Sequence, residues 1–314
     1  MTEASKTVLE RFQVRKSARQ KRAFRAWLRE QLEGAGYPVA EERKIFSGTN
    51  VIAGDPEKAG VLFTAHYDTQ AVLPIPNFIT PRNLGWYLAY QLVFVVLIFA
   101  VVLVVEFAVM LLLDLPRQAL PWPAIATCIF LMWWMFFGKA NRHTANDNTS
   151  GVITLLEAAL TLPEADRAGV CFVFFDNEER GMLGSASFAG QHPAAKQDAL
   201  VVNFDCVSDG DSLQFFPTKA LKRDAAALSA LERSFRPLGD KTVELVRGFG
   251  FYPSDNASFR RSAGVCALKK HPVFGWHMGR IHTGRDTVFQ EENIELLRRG
   301  ILTLAAEQEG EKRA

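Results

Sequence analysis

Histidine and acidic residues recur in five short polar segments that could together bind metal. The segments are His66-Tyr67-Asp68, Asn146-Asp147-Asn148, Glu178-Glu179, Asp205 and His282-Thr283. Each segment alone is a weak signal, because single charged residues and single histidines mostly serve as solvated or structural groups. Together they supply imidazoles and carboxylates, the mixed nitrogen and oxygen donors that suit zinc or a similar divalent ion.

The number of donors also allows a site with two metal ions. When one carboxylate bridges the two ions, such a site needs about five protein ligands plus water. Two ions about 3.5–4 Å apart can activate water and polarise a peptide carbonyl, so the protein need not supply a nucleophile. A free carboxylate is still needed as a general base.

Three apolar runs predict strands that lead into the polar segments. They are Val61–His66, Val170–Phe175 and Leu200–Phe204, and a helix expected at 151–162 follows Asp147. Near-continuous apolar strands that alternate with helices predict an α/β fold with a mostly parallel central sheet flanked by helices. Open sheets of this kind hold their ligands at the carboxyl ends of the strands, where the polar segments lie.

Weaker patterns predict the remaining elements of this domain. They are a helical segment at 8–36, strands at 51–54 and 264–268, and helices at 220–235 and 292–306. No internal repeat divides the chain. We therefore expect the soluble parts to form one discontinuous domain, which consists of residues 1–82 and 141–314.

Two long apolar runs separate the halves of that domain. Residues 92–113 are apolar except for Glu106, and residues 123–138 are also largely apolar. The first run is long enough to cross a bilayer, and the second is near the lower limit. We therefore expect a transmembrane helical hairpin over 83–140, whose free helix faces could pair with another copy of the chain. Buried helices of a soluble protein, or an apolar oligomerisation arm, would show the same pattern.

Aromatic and basic residues around the hairpin predict its orientation. Aromatic residues cluster at both of its ends, as is typical of one membrane interface: Trp86, Tyr87, Tyr90, Trp133, Trp134, Phe136 and Phe137. Arg82, Lys139 and Arg142 flank the hairpin, whereas its turn carries Asp114 and Arg117. This bias, together with the absence of a secretory signal pattern at the start of the sequence, predicts a cytoplasmic catalytic domain.

The composition argues against several other classes of protein. The 36 basic and 34 acidic residues give a net charge of +2, without the basic excess expected of a nucleic-acid-binding protein. The four cysteines form no CxxC pair, so neither a disulfide framework nor cysteine-ligated zinc is expected. With 314 residues, 48% of them hydrophobic, the chain can form a substantial core.

The polar segments, in their order and local sequence, resemble those of the co-catalytic di-zinc exopeptidases of peptidase family 28, the leucyl aminopeptidase and aminopeptidase Y group. The motifs that carry the resemblance are AHYDT, NDNTSGV, FDNEERGMLGS, NFDCVSDG, SDNASF and IHTGRDT. They occur in the family's order and cover nearly all of the chain outside the hairpin. The resemblance implies a zinc exopeptidase-like fold, two zinc ions and a peptide substrate.

The same resemblance implies a ligand set. His66 and Asp205 would hold one zinc ion. Glu179 and His282 would hold the other. Asp147 would bridge both ions.

Four more residues acquire implied roles. Glu178 occupies the family's general-base position, and Asp68 that of the carboxylate that orients a histidine ligand. Asp255 is a candidate for supporting the ligands, and Tyr252 for stabilising an oxyanion. In SDNASF the family's usual histidine is replaced by Asn256.

The hairpin is the largest departure from the family pattern. In the family the first zinc histidine and the bridging aspartate lie close in sequence, whereas here the hairpin separates His66 from Asp147. An insertion at this point would bring the mouth of the active site close to the membrane surface.

These observations predict a membrane-anchored metallo-exopeptidase, specifically a zinc aminopeptidase that cleaves short peptides near the bilayer. One alternative is a glutaminyl-cyclase-like acyltransferase, which has a similar fold and a single zinc ion. Another is a receptor or scaffold on an inactive peptidase domain, as in relatives of the transferrin receptor, which typically lose ligands that are present here. Manganese or cobalt could replace zinc in a carboxylate-rich site.

Overall fold

The apolar runs of the sequence form the middle of one sheet in the computed structural model, which describes residues 1–113, 116–119 and 121–313. The strands of this part of the chain are β1 Val39–Lys44, β2 Gly48–Ala53, β3 Val61–His66, β4 Val170–Phe175, β5 Leu200–Phe204, β6 Ser212–Pro217, β7 Thr242–Leu245, β8 Ser262–His271 and β9 Gly275–His277. Their order is β1-β2-β4-β3-β5-β8-β6-β7, and β9 pairs with β8.

Parallel pairing is confined largely to the centre of the sheet. Strands β4, β3, β5 and β8 run parallel to one another. The pairs β1–β2, β2–β4 and β8–β6 are antiparallel. Strands β3, β4 and β5 are buried along their whole length, as expected for parallel strands covered on both faces. The predicted α/β fold with a central sheet flanked by helices is confirmed.

Helices cover both faces of the sheet. The α-helices of the described residues are α1 Glu3–Arg11, α2 Ala18–Gly34, α3 Leu84–Leu112, α4 Pro121–Phe137, α5 Gly151–Thr161, α6 Leu183–Gln191, α7 Pro193–Gln197, α8 Ala225–Ser234 and α9 Glu291–Arg313, of which α3 and α4 do not cover the sheet. Helices α1, α2, α5, α8 and α9 pack on the face that carries Phe63 and Phe172. Helices α6 and α7 pack on the opposite face, against Leu62 and Val173.

Two predicted helices are shorter than the sequence pattern indicated. The segment at 8–36 is divided, because Ser17 and Gln20 form a capping box that starts α2 afresh. The segment at 220–235 begins with a short 3₁₀ turn, and α8 starts only after Asp224, whose side chain accepts a hydrogen bond from the Ala227 amide at 3.0 Å. Local capping side chains therefore decided both boundaries.

The apolar insertion forms two helices that pack against each other. Helix α3 has 29 residues and, at about 1.5 Å per residue, is long enough to span a membrane, whereas α4 has 17. Most of their apolar side chains are exposed, and Val102 is the buried one among the described residues. Asp114, expected in the turn, lies outside the described part of the chain.

The two ends of the insertion are fastened together. The Val72 amide donates to the Lys139 carbonyl at 2.8 Å, and the Asn141 amide donates to the Gln70 carbonyl at 3.0 Å. The chain therefore leaves and re-enters the domain at one place, next to the end of β3. This pairing lets the insertion separate His66 from Asp147 in sequence without separating them in space.

A close approach of α5 to β5 positions the segment that carries Asp147. At Gly151, the first residue of α5, a Cβ atom would lie 2.3 Å from the Phe204 carbonyl oxygen. Because only glycine avoids this clash, the start of α5 can lie directly against the end of β5. The polar turn before α5 is thereby held beside Asp205.

A buried ion pair holds the end of β4, immediately before the two glutamates. The Lys21 ammonium group lies within hydrogen-bonding distance of Asp176, and the Asp176 carboxylate also accepts from the amides of Thr49 and Asn177 at 3.0 and 2.8 Å. Lys21 and Asp176 are 8% and 3% exposed, so neither charge has much access to water. Removal of one partner would leave a buried charge without its counter-ion.

We predict that Lys21→Met lowers the free energy of unfolding by about 3–5 kcal/mol, because breaking a buried pair carries that cost. Denaturant titration of detergent-solubilised protein, followed by tryptophan fluorescence, measures the change. Lys58→Met is the matched control, since Lys58 pairs with Asp55 on the surface, and it should not shift the transition. A wild-type midpoint for Lys21→Met would contradict the prediction.

Candidate metal centre

The polar segments converge at the carboxyl ends of the central strands. His66 ends β3, Glu178 and Glu179 follow β4, and Asp205 follows β5. Since β3 lies between β4 and β5, these side chains are neighbours at one edge of the sheet. They line a cavity of about 190 Å³ together with Asp147, His282, Asn77, Ile79, Cys206, Tyr252, Pro253 and Ile281.

Two groups of ligand atoms share Asp147. His66 Nε2 lies 3.4 Å from Asp147 Oδ1 and 3.4 Å from Asp205 Oδ1. His282 Nε2 lies 2.9 Å from Asp147 Oδ2 and 3.4 Å from Glu179 Oε2. Within each group, the candidate ligand atoms all lie within 4.8 Å of one another. Asp147 thus presents one carboxylate oxygen to each group.

The site has an excess of negative charge that favours binding of a cation. Seven carboxylates surround or support the cavity: Asp68, Asp147, Glu178, Glu179, Asp205, Asp255 and Asp286. Burial and the charge of Asp147 raise the pKa of Glu179 well above its usual value. Its Oε1 atom is buried without a hydrogen-bond partner among the described residues. Unpaired buried carboxylates beside imidazole nitrogens fit a divalent metal ion.

The histidines respond to the same excess of negative charge. Burial opposes protonation of His66, but its contacts with Asp147, Asp205 and Asp68 raise its pKa well above the usual value. His282 behaves alike, because Asp147 outweighs the effect of burial and raises the pKa of its ring. The surroundings of both histidines therefore favour a positive charge among the ligand atoms of each group.

Asp68 connects the first histidine to the glutamates. Its Oδ1 atom lies 3.4 Å from His66 Nδ1 and accepts a hydrogen bond from the Glu178 amide at 3.0 Å. Its Oδ2 atom accepts from the Glu179 amide at 3.3 Å. One buried carboxylate therefore lies beside the His66 ring and also fixes the backbone that carries both glutamates.

The turn that carries Asp147 is held on three sides. Asn148 Nδ2 donates to the Phe204 carbonyl at 2.9 Å, and Asn146 Oδ1 accepts from the Ser208 amide at 2.8 Å. Asp286 accepts hydrogen bonds from the amides of Asn146 and Asp147 at 2.8 and 3.0 Å. The peptide bond between Asp147 and Asn148 is cis. The flanking asparagines thus tie Asp147 to the strand end that carries Asp205.

Asp205 is oriented by its own set of neighbours. Ser254 Oγ donates to Asp205 Oδ2 at 2.7 Å, and Cys206 Sγ donates to Asp205 Oδ1 at 3.2 Å. The Tyr252 hydroxyl donates to the Asp205 carbonyl at 3.0 Å. Tyr252 therefore lines the cavity while its hydroxyl proton is engaged with the backbone of a candidate ligand. Asn203 supports Ser254 in turn through a 2.9 Å hydrogen bond.

Glu178 and Asp255 are two further buried carboxylates near the cavity, and the pKa of each is raised. Burial raises the pKa of Glu178 well above its usual value, and the charges of Glu179 and Asp205 add to the rise. Burial raises the pKa of Asp255 to about 7, and neither of its carboxylate oxygens has a hydrogen-bond partner among the described residues. Asn256, which follows it, is buried beside Gly264.

Unusual backbone geometry accompanies several site residues. Asn177, Cys206 and His282 adopt the left-handed conformation, with φ of 54°, 57° and 63°. Residues other than glycine rarely adopt this conformation, and such strain concentrates at functional sites. The conformation occurs immediately before Glu178, immediately after Asp205 and at His282.

Sequence reasoning missed three residues that support this site. Asp286 lies within the IHTGRDT motif, so its proximity to His282 was a usable signal. Ser254 lies beside Asp255 in SDNASF, but nothing in its type indicated a contact with Asp205. Arg15 gave no signal, although it is fully buried, donates to the Tyr67 carbonyl and lies 3.2 Å from Thr149 Oγ1.

The segment that leads into α3 forms part of the rim of the cavity. The Leu73 amide donates to the His282 carbonyl at 2.8 Å, and the Asn77 amide donates to the Ile281 carbonyl at 3.3 Å. Ile79 forms two 3.0 Å backbone hydrogen bonds with Met278. The base of the insertion is therefore attached directly to the loop that carries a candidate metal ligand.

Solved structures with the same fold come from several bacteria. A glutaminyl cyclase of Porphyromonas gingivalis is 20% identical, with a TM-score of 0.61 and coverage of 97% of each chain. A Zn-dependent exopeptidase of Parabacteroides distasonis is 18% identical, with a TM-score of 0.60 and coverage of 96% of each chain. The LapA aminopeptidase of Legionella pneumophila is 15% identical, with a TM-score of 0.57 and coverage of 97% of this chain and 70% of that chain.

Comparisons of sequence give one family. No curated protein matches the chain significantly. The profile of peptidase family M28 matches residues 135–306, which include Asp147, Glu178, Glu179, Asp205 and His282, whereas His66 lies outside the match. Because the match covers more than half of the 314 residues, the protein belongs to peptidase family M28.

Proposed function

We propose that this protein is a membrane-anchored zinc aminopeptidase that removes N-terminal residues from peptides. The observation that carries the proposal is the position of Asp147, whose two oxygens lie in two separate groups of ligand atoms. A carboxylate shared in this way suits a pair of metal ions. Membership of family M28 supports peptide hydrolysis, and the zinc-dependent exopeptidase of the same fold supports zinc.

The residues divide into two ligand sets in this proposal. His66 and Asp205 would hold one zinc ion, Glu179 and His282 the other, and Asp147 both. Bound zinc would supply a Lewis acid that polarises the scissile carbonyl and lowers the pKa of water. The protein has the complementary task of fixing the ligands, which Asp68, Asp286 and Ser254 would perform through their hydrogen bonds.

Glu178 would move the proton. Its side chain lines the same cavity as the ligands, and the Asp68 carboxylate holds its backbone amide. We assign it the removal of a proton from the attacking water and the return of that proton to the leaving amine. Proton transfer by a positioned carboxylate contributes about 10²–10⁴-fold in rate. The positive charge of bound metal would favour the ionised form that this role requires.

The shape of the cavity favours cleavage at a chain terminus. Its volume of about 190 Å³ is below the roughly 300–1,000 Å³ usual for ligand pockets. The segment containing Asn77 and Ile79 closes one side of the cavity. A small site that is closed on one side suits the first residue of a peptide.

Membrane anchoring would be provided by α3 and α4. Helix α3 is long and apolar enough to span a bilayer, and its apolar side chains are exposed. Helix α4 is at the lower limit of length, so the pair would form a hairpin with both ends on the cytoplasmic side. Exposed faces of the two helices could also pair with another copy of the chain.

A glutaminyl-cyclase-like acyltransferase is the second candidate. The glutaminyl cyclase of Porphyromonas gingivalis covers 97% of this chain with a TM-score of 0.61, so the fold is compatible with that chemistry. The division of Asp147 between two ligand groups favours the aminopeptidase. A scaffold without activity is disfavoured, since the candidate ligands of both groups are present.

Assays of the zinc-loaded protein distinguish the two enzymes. We expect it to release the chromophore from aminoacyl 4-nitroanilides and the first residue from unmodified peptides. Peptides that begin with glutamine should be shortened and not converted to the pyroglutamyl form. Cyclisation without shortening would contradict the aminopeptidase proposal and support the cyclase.

We predict that Glu178→Gln retains zinc but lowers kcat by about 10²–10⁴-fold, because the amide cannot accept the proton from water. Asp147→Asn should instead lose zinc, because a ligand shared by both groups is weakened. Metal content by mass spectrometry and turnover of an aminoacyl anilide separate the two effects. Glu164→Gln, on the surface, serves as the matched control. Full activity of Glu178→Gln would contradict the assignment.

We also predict that Asp286→Asn lowers zinc affinity by about 10–100-fold, the usual effect of changing a residue that orients ligands. An asparagine side chain has only one acceptor oxygen, so the backbone amide of Asn146 or of Asp147 would lose its hydrogen bond. Asp147 would then be less well fixed. Competition with a chromophoric chelator measures the affinity. Asp240→Asn, an exposed position, should match the wild type. An unchanged zinc affinity for Asp286→Asn would show that Asp286 does not help to orient the metal ligands.

A further inference from the structure

The turn between β1 and β2 exposes two adjacent large apolar side chains. Ile45 is 92% exposed and Phe46 is 81% exposed. Single exposed apolar residues are common on soluble proteins, but two neighbours at a loop tip, preceded by Arg43 and Lys44, form an amphipathic pattern. Such a pattern is typical of loops that enter the interfacial region of a membrane.

The position of this loop tip is fixed relative to the candidate metal centre. Asn177 Nδ2 donates to the Phe46 carbonyl at 3.1 Å, and Asn177 directly precedes Glu178. The Lys21 ammonium group binds the Asn177 side-chain oxygen at 2.8 Å. The tip is therefore tied to the end of β4, close to the mouth of the cavity.

A strongly basic groove of about 450 Å³ lies beside the tip. Most of its charged residues are cationic: Lys16, Lys21, Arg22, Arg25, Arg43, Lys44 and Arg180. Its acidic residues Glu41 and Asp176 are engaged by Arg25, at 3.3 Å, and by Lys21. Five cations, Lys16, Arg22, Arg43, Lys44 and Arg180, have no carboxylate partner within the described ranges. These cations are therefore available to bind an anionic group of another molecule.

The basic groove touches the base of the hairpin. The Lys16 ammonium group donates to the Phe136 carbonyl at 2.7 Å. The Arg180 guanidinium group lies over the Phe137 ring, 5.1 Å from its centre. Phe136 and Phe137 are the last residues of α4, at the end where the hairpin enters the domain. The groove and the tip are therefore continuous with the base of the hairpin.

Exposed aromatic residues flank the start of α3 as well. Phe249 and Phe251 are 57% and 47% exposed, and the Phe251 ring meets Tyr87 of α3 at 5.7 Å. Phe274 meets Trp86 at 5.1 Å, edge to face. The base of the hairpin is therefore bordered by the basic groove at the end of α4 and by aromatic loops at the start of α3.

We propose that this face of the soluble domain docks on an anionic lipid surface. The loop tip at Ile45 and Phe46 and the aromatic loop at Phe249 and Phe251 would enter the interfacial region. The cations of the groove would bind lipid phosphates. The proposal rests on the membrane anchor of the proposed function, because contact with the hairpin is what directs this face toward lipid.

Docking would fix the orientation of the candidate metal centre. A hairpin alone leaves a domain free to tilt, whereas two additional contacts define a plane. Since Asn77 and Ile79 line the cavity and lie just before α3, the cavity would be held near the bilayer surface. The substrates reached most readily would be peptides whose amino termini lie close to the membrane.

The test uses the full chain in nanodiscs of phosphatidylcholine with or without phosphatidylglycerol. An environment-sensitive fluorophore is attached at Cys128 in α4, or at position 46 of Cys128→Ala/Phe46→Cys. The control is Cys128→Ala/Ala168→Cys, since Ala168 is exposed just before β4, at the opposite end of the strand from the candidate centre. Lipid-borne and aqueous quenchers then report the surroundings of each label.

We expect lipid quenching of the labels at positions 128 and 46, but not at 168. Quenching at 46 should strengthen with phosphatidylglycerol and fall at least several-fold when Arg43→Glu and Lys44→Glu are added. Quenching at 128 without quenching at 46 would overturn the docking surface and leave the anchor intact. Quenching at neither position would overturn both. A label at 46 that is shielded from both quenchers would indicate coverage by a second copy, and would also overturn lipid docking.

Discussion

The concentration of buried carboxylates at one edge of the sheet is the constraint on which the rest of the structure depends. Asp147, Glu179 and Asp205 lie close enough to two imidazoles that their mutual repulsion requires compensation. Arg15 provides one buried positive charge nearby, but desolvation lowers its pKa to about 10, which shows how costly that charge is to bury. Bound cations would provide the remaining compensation, and the same cations would supply the chemistry.

The fold resolves this constraint by fastening each acidic residue to its neighbours. Asp68 holds the backbone of both glutamates, Asp286 holds the amide of Asp147, and Ser254 holds the side chain of Asp205. The insertion contributes as well, because its leading segment bonds to the backbone of His282. The insertion, the cavity and the candidate ligands are therefore parts of one connected structure.

Much of this arrangement could be predicted from the sequence, for identifiable reasons. The central strands are continuous apolar runs, and His66, Glu178, Glu179 and Asp205 lie at or just after their ends, so both were visible as local patterns. The edge strand β1 was missed because it is polar and mostly exposed, and the boundaries of α2 and α8 depended on caps at Ser17 and Asp224. Arg15 was unpredictable, since its contacts with Tyr67 and Thr149 arise only from tertiary packing.

The number of zinc ions bound per chain shows whether Asp147 serves two metal ions. Detergent-purified wild-type protein, loaded with zinc and dialysed, would be measured by mass spectrometry against its protein concentration. If Asp147 bridges two ions, about two zinc ions per chain should be found, one for each ligand group. A single ion per chain would contradict it, because Asp147 would then have no second partner to bridge.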